Sequence, residues 1–165
     1  MHLIITGGTI DKKYNELTGL VDFAPTSHIE EMLTQARIDL TTLTITPLLL
    51  KDSLELTPKD RESIIQTIQS SQSDQILITH GTDTMVESAK YIASFGFNKA
   101  IVLLGAMIPY RIKNSDALFN LGFALGAMQN LDYGVYVAMN GQLFKDNQVS
   151  KDYNLGVFKS NAEYQ

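Results

Sequence analysis

Apolar residues come along this chain in short, tight runs: His2 to Thr6, Leu43 to Pro47, Gln75 to Thr79, Ala100 to Leu104 and Gly134 to Met139, each bounded by polar or turn residues. Aliphatic and β-branched runs of this length predict buried strands. Between them the spacing turns helical, as in Ile64, Ile65 and Ile68, and predicts helices from about His28 to Ala36, Pro58 to Ser70, Thr84 to Phe95 and Asp116 to Met128. Two starts carry capping signals. Ser27 with Glu30 three residues on has the form of a capping box, and Thr57-Pro58 that of an N-cap followed by a first-turn proline. Asn140-Gly141 ahead of Gln142 to Phe144 predicts a tight hairpin late in the chain.

Strands alternating with helices predict an α/β fold: a doubly wound, mostly parallel sheet flanked by helices, with a late β-hairpin, in a single domain over 1–165. Ligands of such sheets bind outside the carboxyl ends of the strands. Gly7, His80 and Gly105 emerge at that edge. The stretch from Ile10 to Pro25 has no clear element and, beside a strand exit, is a candidate lid.

Composition narrows the picture. At 165 residues and 44% hydrophobic content, the chain is the size of one domain with a real core. Its net charge of -5, with no Lys/Arg cluster, argues against nucleic acid as a partner. It has no cysteine, which excludes disulfides, thiolate metal sites and a cysteine nucleophile. No apolar stretch has the length of a membrane span, and Met1 to Ile5 is too short for a signal-peptide core and lacks a basic flank. A cytoplasmic protein without a membrane partner is expected.

Two runs at predicted strand ends could carry chemistry: Thr6-Gly7-Gly8-Thr9-Ile10 and Thr79-His80-Gly81-Thr82-Asp83-Thr84. Gly7 and Gly8 permit positive φ and close backbone approach, so Thr9 can sit over a pocket with N–H groups aimed at a developing oxyanion. The spacing from Gly7 to Lys12 fits neither the dinucleotide fingerprint nor a Walker A loop. In the second run, Asp83 and Thr84 also suit a helix N-cap. His80 has no second histidine at ligand spacing and reads as a local hydrogen-bonding residue rather than a base or metal ligand.

Together, in this order and separation, the two runs resemble the paired signatures of the bacterial-type L-asparaginase family. The resemblance extends to Gly105-Ala106-Met107-Ile108-Pro109, with Ile108 where the family has arginine, to Asp116 and Phe119-Asn120-Leu121, and to Phe158-Lys159-Ser160. It implies that Thr9 is the nucleophile forming an acyl-enzyme ester. By the same resemblance Thr82 is the second catalytic threonine, Asp83 binds the substrate α-ammonium and supports Thr82, and Lys151 completes the group as a base. Ser53 is implied to hold the α-carboxylate, and the Ala106 carbonyl to accept from the amide nitrogen. Gly8 and Gly81 join the substrate shell. Tyr14 is the nearest match to the family's lid tyrosine, and a different gap puts Leu20 there instead.

The resemblance implies hydrolysis of L-asparagine to L-aspartate and ammonia, with no metal or organic cofactor. Glutamine, another small amide or an amidotransferase component needs no new nucleophile, and a non-catalytic amino-acid-binding protein is the contrasting class. Family members carry a second domain of comparable size. The expectation is a short form without it, whose open crevice is completed by loops or by another copy in a homodimer or homotetramer.

Overall fold

The computed structural model describes residues 1–161, so the last four positions of the expected domain lie outside the described residues. Among these residues, fourteen strands and α-helices follow in chain order: β1 (His2–Gly7), β2 (Lys12–Tyr14), β3 (Val21–Phe23), α1 (Ile29–Gln35), β4 (Thr44–Lys51), α2 (Pro58–Ser70), β5 (Gln75–Thr79), α3 (Met85–Ala93), β6 (Ala100–Leu104), α4 (Ala117–Met128), β7 (Gly134–Met139), β8 (Gln142–Lys145), β9 (Val149–Asp152) and β10 (Val157–Ser160). Six strands form the main sheet in the order β4-β1-β5-β6-β7-β8. All neighbours in it are parallel except β7 and β8, which meet as the hairpin expected at Asn140-Gly141. Both turn residues have positive φ, 56° and 70°, as a two-residue hairpin of this twist requires.

Side chains alternate across the sheet and divide the core in two. Leu3, Ile5, Leu77, Val102 and Leu104 pack against α1 and α4. Ile4, Ile76, Ile78, Ile101 and Leu103 pack against α2 and α3. Burial on both faces explains why the strands read as continuous apolar runs.

Three segments depart from the pattern-based expectation. β4 runs on through Pro47 to Lys51, because it is an edge strand, where a proline that cannot donate is tolerated. Residues 10–25 are not irregular: β2 and β3 pair as a small antiparallel hairpin. Ser27 and Glu30 do not form a capping box. Instead Asp11 Oδ1 accepts from His28 N at 2.8 Å and from the Ser27 hydroxyl at 2.7 Å, while Ser27 Oγ accepts from Ile29 N. The box at α2 does form, with Thr57 and Asp60 capping each other reciprocally. Lys51 Nζ adds contacts of 2.8 and 2.9 Å to the Asp60 carboxylate, tying the end of β4 to the start of α2.

Candidate active site

Strand order reverses direction at β1, which has β4 on one side and β5 on the other. The crevice of an open α/β sheet lies at such a switch point, outside the carboxyl ends of the two diverging strands. Those ends carry the two threonine runs. Gly8 has φ of 87°, and a Cβ there would stand 2.4 Å from Gly81 N, so the runs touch backbone to backbone. A Cβ on Gly81 would in turn stand 2.7 Å from Ser53 Oγ. Thr9, Thr82 and Ser53 therefore leave three adjacent strand exits around one point.

Thr9 opens a 3-10 turn over Thr9–Asp11. Its side chain is half-buried, and among the described residues its hydroxyl has no hydrogen-bond partner. Thr82 is buried, at 5% exposure. Lys151 Nζ donates to Thr82 Oγ1 at 2.8 Å and to Asp83 Oδ1 at 2.6 Å. With 8% of its side chain exposed, Lys151 is nearly enclosed, whereas Asp83 keeps 36% exposed. Because Thr82 Oγ1 accepts from the ammonium, its own proton is free to point elsewhere.

Ser53 is buried and accepts from Thr84 N at 3.3 Å, so its hydroxyl proton is also free to be donated. Thr84 does stand at the N-cap of α3, but its side chain makes no cap bond; its hydroxyl donates to the Ser53 carbonyl at 2.9 Å. The second run is thus joined to the Ser53 turn rather than merely capping a helix. Ala106 is buried in a segment fixed by Asp116, which accepts from Met107 N and Ile108 N, each at 3.0 Å.

His80 lies fully buried between these groups. Burial pushes its pKa down to about 4, against a 2.8 Å contact from Nδ1 to the Gly81 carbonyl that works the other way. A neutral ring donating from Nδ1 to that carbonyl holds the turn, which is the local role expected of it. Asp11, just after Thr9, is wholly buried, and its burial pushes the carboxyl up despite the Ser27 and His28 contacts.

The β2–β3 hairpin is tied to Asp52, the neighbour of Ser53, by an ion pair from Lys12 Nζ to Asp52 Oδ2 at 2.5 Å, with Lys12 also 5.3 Å from the Phe23 ring centre. Burial opposes the charge on Asp52, but the Lys12 ammonium and Leu54 N–H outweigh it and hold the carboxyl below its usual range. Tyr14 is 58% exposed at the end of β2, across from Val21. Its side chain borders a cleft of about 770 Å³ with Lys13, Ser27, His28, Glu31 and Arg111, and none of Thr9, Thr82, Asp83 or Lys151 lines that cleft. Leu20 is likewise exposed, at 60%. The fold brings Thr9, Thr82, Asp83, Lys151, Ser53, Gly8, Gly81 and Ala106 to one edge of the sheet and leaves Tyr14 outside.

Tyr153 was not legible from the sequence. Its hydroxyl donates to the Asp83 carbonyl at 3.1 Å, and its ring centre lies 4.9 Å from Lys151 Nζ. An exposed tyrosine two residues beyond a lysine becomes a signal only once β9 is seen to pass Asp83.

The family model "Asparaginase, N-terminal" matches residues 1–163. The L-asparaginase of Thermococcus kodakarensis is 31% identical over 156 residues, covering 92% of this chain and 47% of that protein. Its solved structure superposes with a TM-score of 0.81 at 32% identity, over 97% of this chain and 51% of that one. A probable cytoplasmic L-asparaginase from Campylobacter jejuni superposes with a TM-score of 0.80 at 25% identity, over 96% and 52% respectively. A glutamyl-tRNA(Gln) amidotransferase component of Nanoarchaeum equitans is 32% identical over 153 residues, 89% of this chain and 38% of that protein. The chain spans about half the length of the curated asparaginases it matches. With that match over nearly every residue, and the same fold around the paired threonine runs, the chain belongs to the asparaginase family.

Proposed function

We propose that the protein is an amidohydrolase acting on the side-chain amide of a small amino acid, L-asparagine first, through an ester on Thr9. The observation that carries this reading is the Lys151 ammonium bonded to both Thr82 and Asp83 at the switch point, beside the free Thr9 hydroxyl. Thr9 Oγ1 attacks the amide carbon, and the proton it loses goes to the nitrogen. The carbon–nitrogen bond then breaks, releasing ammonia and leaving the ester. Water adds to that ester, giving its proton to Thr82 Oγ1 while Thr82 passes its own proton to Thr9 Oγ1 as the ester carbon–oxygen bond breaks, with the Lys151 ammonium holding the Thr82 oxygen; this restores the Thr9 hydroxyl and yields the carboxylic acid. Asp83 meets the substrate α-ammonium with its exposed carboxylate edge, and Ser53 donates its hydroxyl to the α-carboxylate. Gly8 and Gly81 leave the backbone open to the substrate, and the Ala106 carbonyl accepts from the amide nitrogen. Tyr14 reaches Thr9 in this scheme only if the β2–β3 hairpin moves inward on substrate binding.

The amidotransferase component among the relatives supports a second reading, in which the ammonia is passed to another reaction rather than released. It uses the same nucleophile. We further propose a homodimer or homotetramer, and a cytoplasmic location, like that of the probable cytoplasmic Campylobacter relative. Ammonia release from asparagine, glutamine and other small amides tests the amidase reading. Thr9→Ala is expected to reduce the rate at least about a thousandfold. Equal, near-background release by both proteins on every amide would sink it and favour a binding protein.

A further inference from the structure

Lys151 reaches the site on a platform separate from the main sheet. Among the described residues, β9 and β10 pair only with each other, as a two-stranded sheet of their own. The burial of Val149 and Phe158, each 1% exposed, in the core beside α3 sets how deep this hairpin sits. Apolar contact is non-directional and does not by itself set where Lys151 points.

A chain of amide hydrogen bonds supplies the direction. Phe158 faces Lys151 across the β9–β10 ladder, and its N–H donates to Asn140 Oδ1 at 2.8 Å. Asn140, in the left-handed turn between β7 and β8, donates its own N–H to Asn120 Oδ1 at 3.2 Å. Asn120 is wholly buried on α4, and its Nδ2 donates to Asp116 Oδ2 at 2.8 Å and to the Gly105 carbonyl at 3.0 Å. Asp116 holds the N–H groups of Met107 and Ile108. The bonds run unbroken from the segment carrying Ala106 to the strand opposite Lys151. A buried amide needs partners merely to be tolerated, but Asn120 spends its Nδ2 on the segment that carries Ala106 and its Oδ1 on the turn that holds Phe158.

We infer that Asn140, held by Asn120, is a positioning residue that aims Lys151 Nζ at Thr82 and Asp83. Its kinetic consequence rests on the amidase reading; its geometric consequence does not. Asn140→Gly keeps the positive φ and removes the acceptor, whereas Asn140→Asp keeps an acceptor oxygen. The glycine variant is expected to lose about tenfold to a hundredfold in kcat, with KM changed less than about threefold. The aspartate variant is expected to recover most of kcat. Acylation of Lys151 by an N-hydroxysuccinimide acetate, read by peptide mass spectrometry against the exposed Lys59, should rise about tenfold in Asn140→Gly and stay near wild type in Asn140→Asp. An unchanged labelling ratio and kcat in Asn140→Gly would overturn the inference. So would a thermal melt showing that this variant is unfolded, since Asn140 would then be holding the chain together rather than aiming one side chain. A wild type inactive on every amide defeats the amidase reading instead, and the labelling ratio still decides this one.

Discussion

Lys151 carries a charge into a nearly closed place, and its two partners differ in what they need from it. Thr82 is a neutral hydroxyl that water can replace, while Asp83 is a carboxylate with a third of its side chain open to solvent. Lys151→Met keeps the stem beside the Tyr153 ring and removes only the ammonium. Asp83 then rehydrates, so the stability cost is expected to stay on the order of 1 kcal/mol. Ammonia release is expected to fall by about 10²- to 10⁴-fold, the range for removing a proton-transferring group. A melt alongside the assay separates the two effects; a collapse of the fold with the activity would show that the pair is structural.

At the scale of elements, the site depends on how closely two strand exits approach. Gly8→Ala places a methyl 2.4 Å from Gly81 N at a φ of 87°, so the β1 and β5 exits must part or the turn must unwind. The variant is expected to lose about 1–3 kcal/mol from the backbone conformation alone, read as a lower denaturant midpoint at unchanged slope. An unaltered midpoint would mean that the runs are not locked together. Elements bounded by clear signals were legible in the sequence: β5, β6, β7 and α2 fall at their expected limits, because aliphatic runs and a proline after a threonine mark their ends. The β2–β3 hairpin was not, because its strands are three residues each with mixed polarity and gain their place from Lys12 and Asp52. The capping of α1 is hidden for a related reason: its carboxylate comes from Asp11, far away in sequence. Among the site residues, Thr9 and Thr82 announced themselves by local pattern. Lys151 was reached only through family resemblance, and the Asn140 side chain through neither, since its bond to Phe158 exists only once β10 has docked.

For the whole molecule, the histidines make acid the weak flank. All three, His2, His28 and His80, have pKa values pushed down, burial being the largest cause in each. The unfolded chain takes up their protons near pH 6.5, the folded chain only at lower pH. Their contribution to stability is therefore complete above about pH 6.5 and is lost as the pH falls toward the folded values, about 4 for His80. Asp60 adds a later loss. Hydrogen bonds from Lys51 and Thr57 hold it at about 2, so its contribution is full above about pH 4 and disappears as the pH drops through 2. Asp11 acts oppositely, since its raised pKa makes ionisation costly in the folded state and acid relieves that cost. Stability is expected to be level above pH 7 and to decline below it, with His80→Gln flattening the first decline by up to about 3 kcal/mol. Melting temperatures of wild type that stay constant from pH 6.5 to 4 would contradict this. The switch point adds a constraint of another kind. β1 and β5 are neighbours in one parallel ladder, so the backbones that deliver Thr9 and Thr82 start one strand spacing apart, about 4.8 Å. In the proposed mechanism, the span between the two hydroxyl carriers is thus inherited from peptide geometry. Under that reading, sequence change in the rim or in the β2–β3 and β9–β10 hairpins can alter which amide is admitted without retuning that span.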